Sequence, residues 1–540
     1  MTEQQRGGAF SDVNSWVGTA SGTAVLATNA GRVHKLTATA ASGRTASVVF
    51  MAKYVRRELR SLTEADREAY FEAVAVVLST PTKAGQEKYG MSFYGGAWYN
   101  RWHLAHQTRK VPGGSFHSPW HASPSFFTSH AAFTDYFERA LQSVNPKVAA
   151  HYWDFTIDAA LDDWTHSIVW DAAWFGTGSA ENDFEIGGRW ANVKHSVAKE
   201  DGGYNPNGVT HNSYGIDTMP YNNNPALKIA RAQSLCDLKS SALKLPGCSE
   251  LSAVLEKMPR NNITMQVEVF DGLMHTPVHP LLGGLWGCTE NITTFLAAYP
   301  ATTVYLTAFL KLYPNLINAL YYSEVLACPS HCSIGVTAFE DCMCHATDEY
   351  YGEIVTDDVW KQRFAAAIDA NPETGFSVLR KAQLLINEDG GTYYFEGLTA
   401  DESTALTIFE AKLLYHPPKF SDFSTPYAAA FDPMFFAVHA WNEKFWTVTR
   451  LKYDDPEFIS QDNYWAKAGG DARSDAEADD DTFVGHNYDD PMEPFANAYG
   501  KVRQPLGTYY TNRELMALYS PLEDELPYIF DSISWQHCGL

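Results

Sequence analysis

The chain has 540 residues, 45% of them hydrophobic and 19% charged, a composition that excludes wholesale disorder and leaves room for two to four domains or one elaborated large one. Sixty-four acidic residues against 40 basic ones give a net charge of −24, which argues against a nucleic-acid partner or an anionic membrane surface. No stretch reaches the roughly 18 uninterrupted apolar residues of a spanning helix, so no membrane span is expected.

Residues 1–50 are rich in Ala, Thr, Ser, Gly and Val without a helical period, which predicts short strands or an extended lead-in. The opening Met1 to Phe10 lacks the basic-then-apolar build of a signal peptide, which suits an intracellular chain or one given without its leader. Helix is expected from about Met51. Arg56 to Ala73 has apolar residues at helical spacing, and Thr63 followed by Asp66 predicts an N-cap that opens a fresh helix. From Tyr99 to Asp158 the pattern is helix, breaker-rich loop (111–119) and a second helix from Ser125 to Gln142, with Tyr152-Trp153-Asp154 seating the chain on the core. Residues 159–260 are Gly/Asn-rich and predict long surface excursions. Helix returns over Thr264–His279 and Thr293–Ala327, a mixed insert follows the cysteine-rich stretch 328–344, and Asp432 to Leu451 is an aromatic helix. The acids of 471–490 predict a solvated loop.

Seven of the eight cysteines (Cys236, Cys248, Cys288, Cys328, Cys332, Cys342, Cys344) fall between 236 and 344, with Cys538 near the end. Their clustering predicts a local disulfide framework and a secreted or oxidising-lumen location. A zinc site is the rival, since Cys328-x3-Cys332 and Cys342-x-Cys344 are loosely ligand-like. The sequons Asn262-Ile-Thr264 and Asn291-Ile-Thr293 point the same way as the disulfide reading.

Among 18 histidines, spacing selects a few. His275 and His279 stand at i and i+4, close enough on one helical face to grip one ion, with Pro277 suggesting the first helical turn. Upstream, His103, His106, His117, His121 and His130 crowd into 28 residues; His121 and His130 cannot share a helix face, so one comes from a loop and one from the helix it leads into. His439 lies on the late aromatic helix. All-imidazole sites suit copper, zinc, iron or nickel, so the residues alone predict one or two multi-His metal centres on helices.

The run His121-Ala-Ser-Pro-Ser-Phe-Phe-Thr-Ser-His130, with Phe137-Glu138-Arg139-Ala140-Leu141-Gln142 and Tyr152-Trp153-Asp154, resembles the first copper motif of tyrosinases. His275-x3-His279-x3-Gly283-Gly284 with Asp432-Pro433-Met434-Phe435-x3-His439 resembles the second, and Arg57-Glu58-Leu59-Arg60-Ser61-Leu62-Thr63 is similar to the family's N-terminal helix. The resemblance is to the type 3 copper proteins: tyrosinases, catechol oxidases and haemocyanins. It implies a mainly α fold, with a four-helix bundle holding a dinuclear copper site, long irregular loops and a mixed α/β Cys-rich insert. It implies two copper ions, with dioxygen and a phenolic small molecule as substrates. One copper takes His121, His130 and an earlier His, either His103 (favoured) or His106; the other takes His275, His279 and His439. Three neutral imidazoles per ion tolerate both copper oxidation states and leave open positions.

The expected division is an extended segment 1–50, a core 51–284 with the first copper site and the start of the second, a Cys-containing insert 285–430, a final ligand helix 431–460, and an acidic loop with C-terminal extension 461–540. Three departures from the family bear on chemistry. Tyrosinases commonly carry Asn directly after the first His of the second site, where it works with a nearby Glu on the phenolic proton; here that position is Thr276, and Glu268 is the candidate base. A family His just before the last ligand is Val438. Pro119 stands where some relatives place a Cys that bonds to a ligand His. The implied reaction is oxidation of o-diphenols to o-quinones, with monophenol hydroxylation less secure; dioxygen carriage without turnover, as in haemocyanins, is the alternative.

Overall fold

A computed structural model describes residues 2–5, 32–107, 109–110, 116–117, 120–121, 124–191, 193, 223–224, 228–239, 242–258, 262–322, 325–329, 336–338, 340–346, 356–369, 387–389, 392–425, 428–453, 485–503, 505 and 507–540. The fold is mainly α, as expected. At its centre lies the helix Ser125–Val144, whose residues from Ser125 to Glu138 are all buried. A helix buried on every face must be enclosed on every side, and its polar residues must find their partners inside. Phe137 stacks on Phe436 of the helix Met434–Tyr453 with ring centroids 3.5 Å apart, and Phe127 stacks on Trp446 of the same helix at 5.5 Å. Tyr99, from the helix Gly96–Gln107, meets Phe133, Phe137 and Phe436 edge-on. Interlocked aromatics of this kind hold three helices at one set of separations.

The first helix begins later than its pattern predicts. Residues Thr45–Ala52 continue an antiparallel ladder with Arg32–Thr39, and Tyr54–Arg56 forms a parallel pair with Tyr528–Phe530. After a single 3-10 turn at Leu59–Ser61, α-helix starts only at Glu64, where Thr63 Oγ1 accepts from the Asp66 N–H as the cap motif predicts. The strand-favouring Val48-Val49-Phe50 and, for Tyr54–Arg56, a partner strand 474 residues away outweigh the local period. The expected helix Thr293–Ala327 is two helices, Ile292–Ala298 and Thr303–Tyr322. Of the acidic run 471–490, residues 471–484 lie outside the described residues.

Arg56 is fully buried. Its Nε donates to Glu138 at 2.5 Å and its Nη1 to Glu443 at 2.6 Å, while the Tyr528 hydroxyl donates to Glu443 and the guanidinium lies 3.4 Å from the Tyr528 ring centroid. Burial opposes the charge, but the two carboxylates overcome it and leave the Arg56 pKa raised. One cation thus ties the two central helices to each other and to both ends of the chain. Residues 485–540 are therefore structural rather than an appendage: Tyr136 Oη accepts from the N–H groups of Ala496 and Asn497, and Asn512 Oδ1 accepts from Thr128.

Disulfides join Cys236–Cys288, Cys248–Cys538 and Cys328–Cys344, and Cys342 is bonded as well, so the seven cysteines among the described residues form bridges rather than a zinc site. The framework is not wholly local: Cys248–Cys538 spans 290 residues and pins the C-terminal end to the helix Cys248–Lys257. The insert leaves and re-enters through one narrow neck, where Leu285 pairs with Phe420 and Trp286 with Lys419. Its end comes close enough to Gly283 that a Cβ there would lie 2.2 Å from Ser424 Oγ, and that hydroxyl donates to the Gly284 carbonyl. Only glycine allows this approach. No single helix among the described residues is long and apolar enough to cross a membrane.

Candidate metal centre

Five helical segments and one bend deliver six imidazoles to one place. His103 comes from Gly96–Gln107, His130 from the second turn of Ser125–Val144, and His121 from the bend just ahead of that helix. Their nearest ring nitrogens lie within 4.8 Å of one another. His275 closes a π turn, Asp271–His275, which follows the helix Ile263–Phe270; His279 sits at the start of Val278–Gly283, with Pro277 as its N-cap residue; His439 comes from Met434–Tyr453. These three form a second cluster of the same dimensions. The clusters face each other, with the His130 and His439 rings stacked at 4.5 Å and His121 6.2 Å from His275. Of the two candidates for the earlier ligand, His103 joins the first cluster; the side chain of His106 lies outside the described residues.

Hydrogen bonds to the Nδ1 atoms fix which nitrogens face inward. His130 Nδ1 lies 2.7 Å from the Phe126 carbonyl, His279 Nδ1 2.9 Å from the Phe423 carbonyl, and His275 Nδ1 2.7 Å from Asp271 Oδ1. Each partner only accepts, so each Nδ1 carries the hydrogen and each Nε2 presents a bare lone pair. His275 and His279 Nε2 are 2.9 Å apart, His275 and His439 Nε2 are 3.4 Å apart, and His130 Nε2 is buried without a partner. Converging lone pairs repel unless a cation lies among them. The donor set fits a metal in each cluster.

Protonation of four of the six rings is disfavoured. Burial, reinforced by neighbouring imidazoles, pushes His121, His279 and His439 well below their ordinary range, and burial with the nearby His275 takes His130 down to about 3. Five of the six rings are buried, and His121 is half-buried. Phe126 and Phe435 pack against both clusters, Phe126 meeting His121 and His275 and Phe435 meeting His103 and His439. A third grouping, Cys248, His537 and Cys538, has its two sulfurs joined to each other.

Two contacts lie outside the histidine pattern. Asp271 Oδ1 accepts from both His275 Nδ1 and the Thr276 hydroxyl, the latter at 2.8 Å. Its only signal in the sequence was an acid four residues before a ligand. Phe423, from the end of the insert, supplies the carbonyl that orients His279 and sets its ring against that imidazole, tilted, with centroids 4.8 Å apart. Nothing in the local sequence reports a contact across 144 residues. Glu268, the base expected from the sequence, is half-buried one turn before Asp271 on the helix Ile263–Phe270.

Two buried clusters of three imidazoles, facing each other inside a helical core, define the class: a helical protein with paired all-nitrogen sites able to hold metal. Residues 94–299 match the family model described as the common central domain of tyrosinase. A tyrosinase of Streptomyces antibioticus is 39% identical over 66 residues, a span covering 12% of this chain and 23% of that relative. Two structures of a tyrosinase from Burkholderia thailandensis, at high and low pH, superpose loosely: TM-scores are 0.31 and 0.34 and identities 13% and 14%, over 89% of this chain and 74% and 75% of theirs. Residues 94–299 of the chain thus carry a domain similar to the central domain of tyrosinases. That likeness implies a dinuclear copper centre.

Proposed function

We propose that the chain is a copper-dependent polyphenol oxidase that converts o-diphenols to o-quinones with dioxygen. His103, His121 and His130 hold one copper and His275, His279 and His439 the other. The observation that carries this reading is the pair of facing three-histidine clusters, with the bare Nε2 atoms of His275 and His279 converging in one of them. When bound, the copper pair supplies the redox chemistry with dioxygen. Two diphenols each give up two electrons and two protons, and one dioxygen takes all four of each to become two waters.

The chain's own part is to hold the metals apart on rigid helices, to exclude water with Phe126 and Phe435, and to admit the ring from the side of His121, the one ligand that is not buried. Hydroxylation of monophenols is the weaker activity in this reading, because Thr276 spends its hydroxyl proton on Asp271 where tyrosinases commonly carry an Asn amide.

The test is a pair of assays on copper-loaded protein. With catechol, quinone absorbance should rise while one dioxygen is consumed for every two diphenols. Reversible dioxygen uptake with no quinone would instead support a carrier and defeat the proposal. With tyramine, turnover should be at least tenfold slower or follow a long lag. Glu268 is the base proposed for the phenolic proton, so Glu268→Gln should lower monophenol turnover about 10²-fold while leaving catechol oxidation within a few-fold. An unchanged ratio of the two activities would remove Glu268 from that role.

A further inference from the structure

We propose that Asn291 is the acceptor of an N-linked oligosaccharide and that the other sequon, Asn262, stays bare. Both sites have the required Asn-x-Thr pattern, so the pattern alone cannot separate them. The folded protein does. Asn291 is exposed at the N-cap of the helix Ile292–Ala298. Its Oδ1 is turned inward to accept from the Thr294 N–H at 2.6 Å, which leaves the amide nitrogen on the solvent side. Thr293, two residues on, is exposed too. The cap is held in place from below: Asp237 accepts from the N–H groups of Ile292 and Thr293 at 2.7 and 2.9 Å, and the Cys236–Cys288 bridge ties both segments together. A glycan here projects into water and disturbs no packing.

Asn262 is built the opposite way. It is also an N-cap, with Oδ1 accepting from Met265 N–H at 3.0 Å, but it is only 6% exposed and is followed by the buried Ile263. It opens the helix that leads directly into Asp271 and His275. A sugar on its amide nitrogen would have to occupy space already filled by protein. Since the transfer occurs on the growing chain, a molecule modified at Asn262 could not complete this helix start and would not survive as folded protein.

The donor is a lipid-pyrophosphate-linked oligosaccharide. A bond forms between the Asn291 Nδ2 and the sugar's anomeric carbon, the bond from that carbon to the pyrophosphate breaks, and the amide proton leaves to solvent. This donor is met in the secretory lumen of a eukaryotic cell, the oxidising setting in which three disulfides among the described residues form and persist. The inference is independent of the copper chemistry and stands or falls without it.

The experiment is peptide mapping of the full chain isolated from the cells that make it, after enzymatic glycan release in heavy-oxygen water, which marks each formerly occupied Asn as a labelled Asp. Label on residue 291 and none on residue 262 is the expected result. An unlabelled 291, or a labelled 262, overturns the proposal. Secreted from a eukaryotic host behind a cleavable leader, N291Q should lose the gel-mobility change that glycan release produces. N262Q should keep that change in full while melting at a lower temperature through loss of its cap; a mobility change that survives in N291Q overturns the assignment.

Discussion

Replacing Asp271 by asparagine should weaken copper retention by the His275–His279–His439 cluster about 10–100-fold while leaving the fold intact. The three cluster members are oriented through Nδ1 by different groups. His279 donates to a neutral carbonyl, His439 Nδ1 lies 3.4 Å from the Asn442 amide, and His275 alone among the contacts described here donates to a carboxylate. A carboxylate behind an imidazole fixes the ring and makes the facing nitrogen a better donor, and its loss commonly costs a metal site one to two orders of magnitude in affinity. Asparagine preserves shape and an accepting oxygen but removes the charge. The measurement is competition against a copper chelator of known affinity, read as copper bound per chain, with circular dichroism as the fold control. Thr276→Val, which removes only the hydroxyl donating to the same oxygen, should have a smaller effect. Wild-type retention in the Asp271 variant would mean that the carboxylate is a bystander.

Arg56→Met should destabilise the protein by about 3–5 kcal/mol, because removing one member of a buried ion cluster leaves the others uncompensated. Glu138 lies two turns beyond His130 on one central helix, and Glu443 one turn beyond His439 on the other. Without the guanidinium, two buried carboxyls face each other, and at least one must take up a proton to remain there. Urea unfolding of metal-free protein gives the number, and a loss below about 1 kcal/mol would show the cluster to be energetically idle. Tyr528→Phe, which removes only a hydroxyl donating to Glu443, should cost about 1–2 kcal/mol and provides a milder probe if the arginine variant does not accumulate.

The histidines were legible because their spacing carries geometry. A ligand pair at i and i+4, and another split between a loop and the helix it enters, can be placed from the chain alone, and the structure brings His103, His121, His130, His275, His279 and His439 together. Orientation within the site was harder to read. Glu268 and Asp271 stand seven and four residues before His275, both spacings that a helix brings to one face, so spacing alone does not single out Asp271 as the acceptor for His275 Nδ1. Arg56 reads as the start of a charged helix, yet its partners lie 82 and 387 residues away, and no local pattern contains that information. The same holds for Phe423: an insert that looks separable from the site in sequence supplies the carbonyl behind His279.

The two-residue neck at Leu285–Trp286 and Lys419–Phe420 has a consequence for how this protein can vary. Chain added or removed between its strands is spliced into a gap already closed, so the span separating His279 from His439 along the backbone can change without pulling them apart in space. What cannot change is the pairing itself. A slip by one position would turn every following side chain to the opposite face and carry the Phe423 oxygen away from the imidazole it steers. The freedom to grow long is bought with an obligation to stay in step.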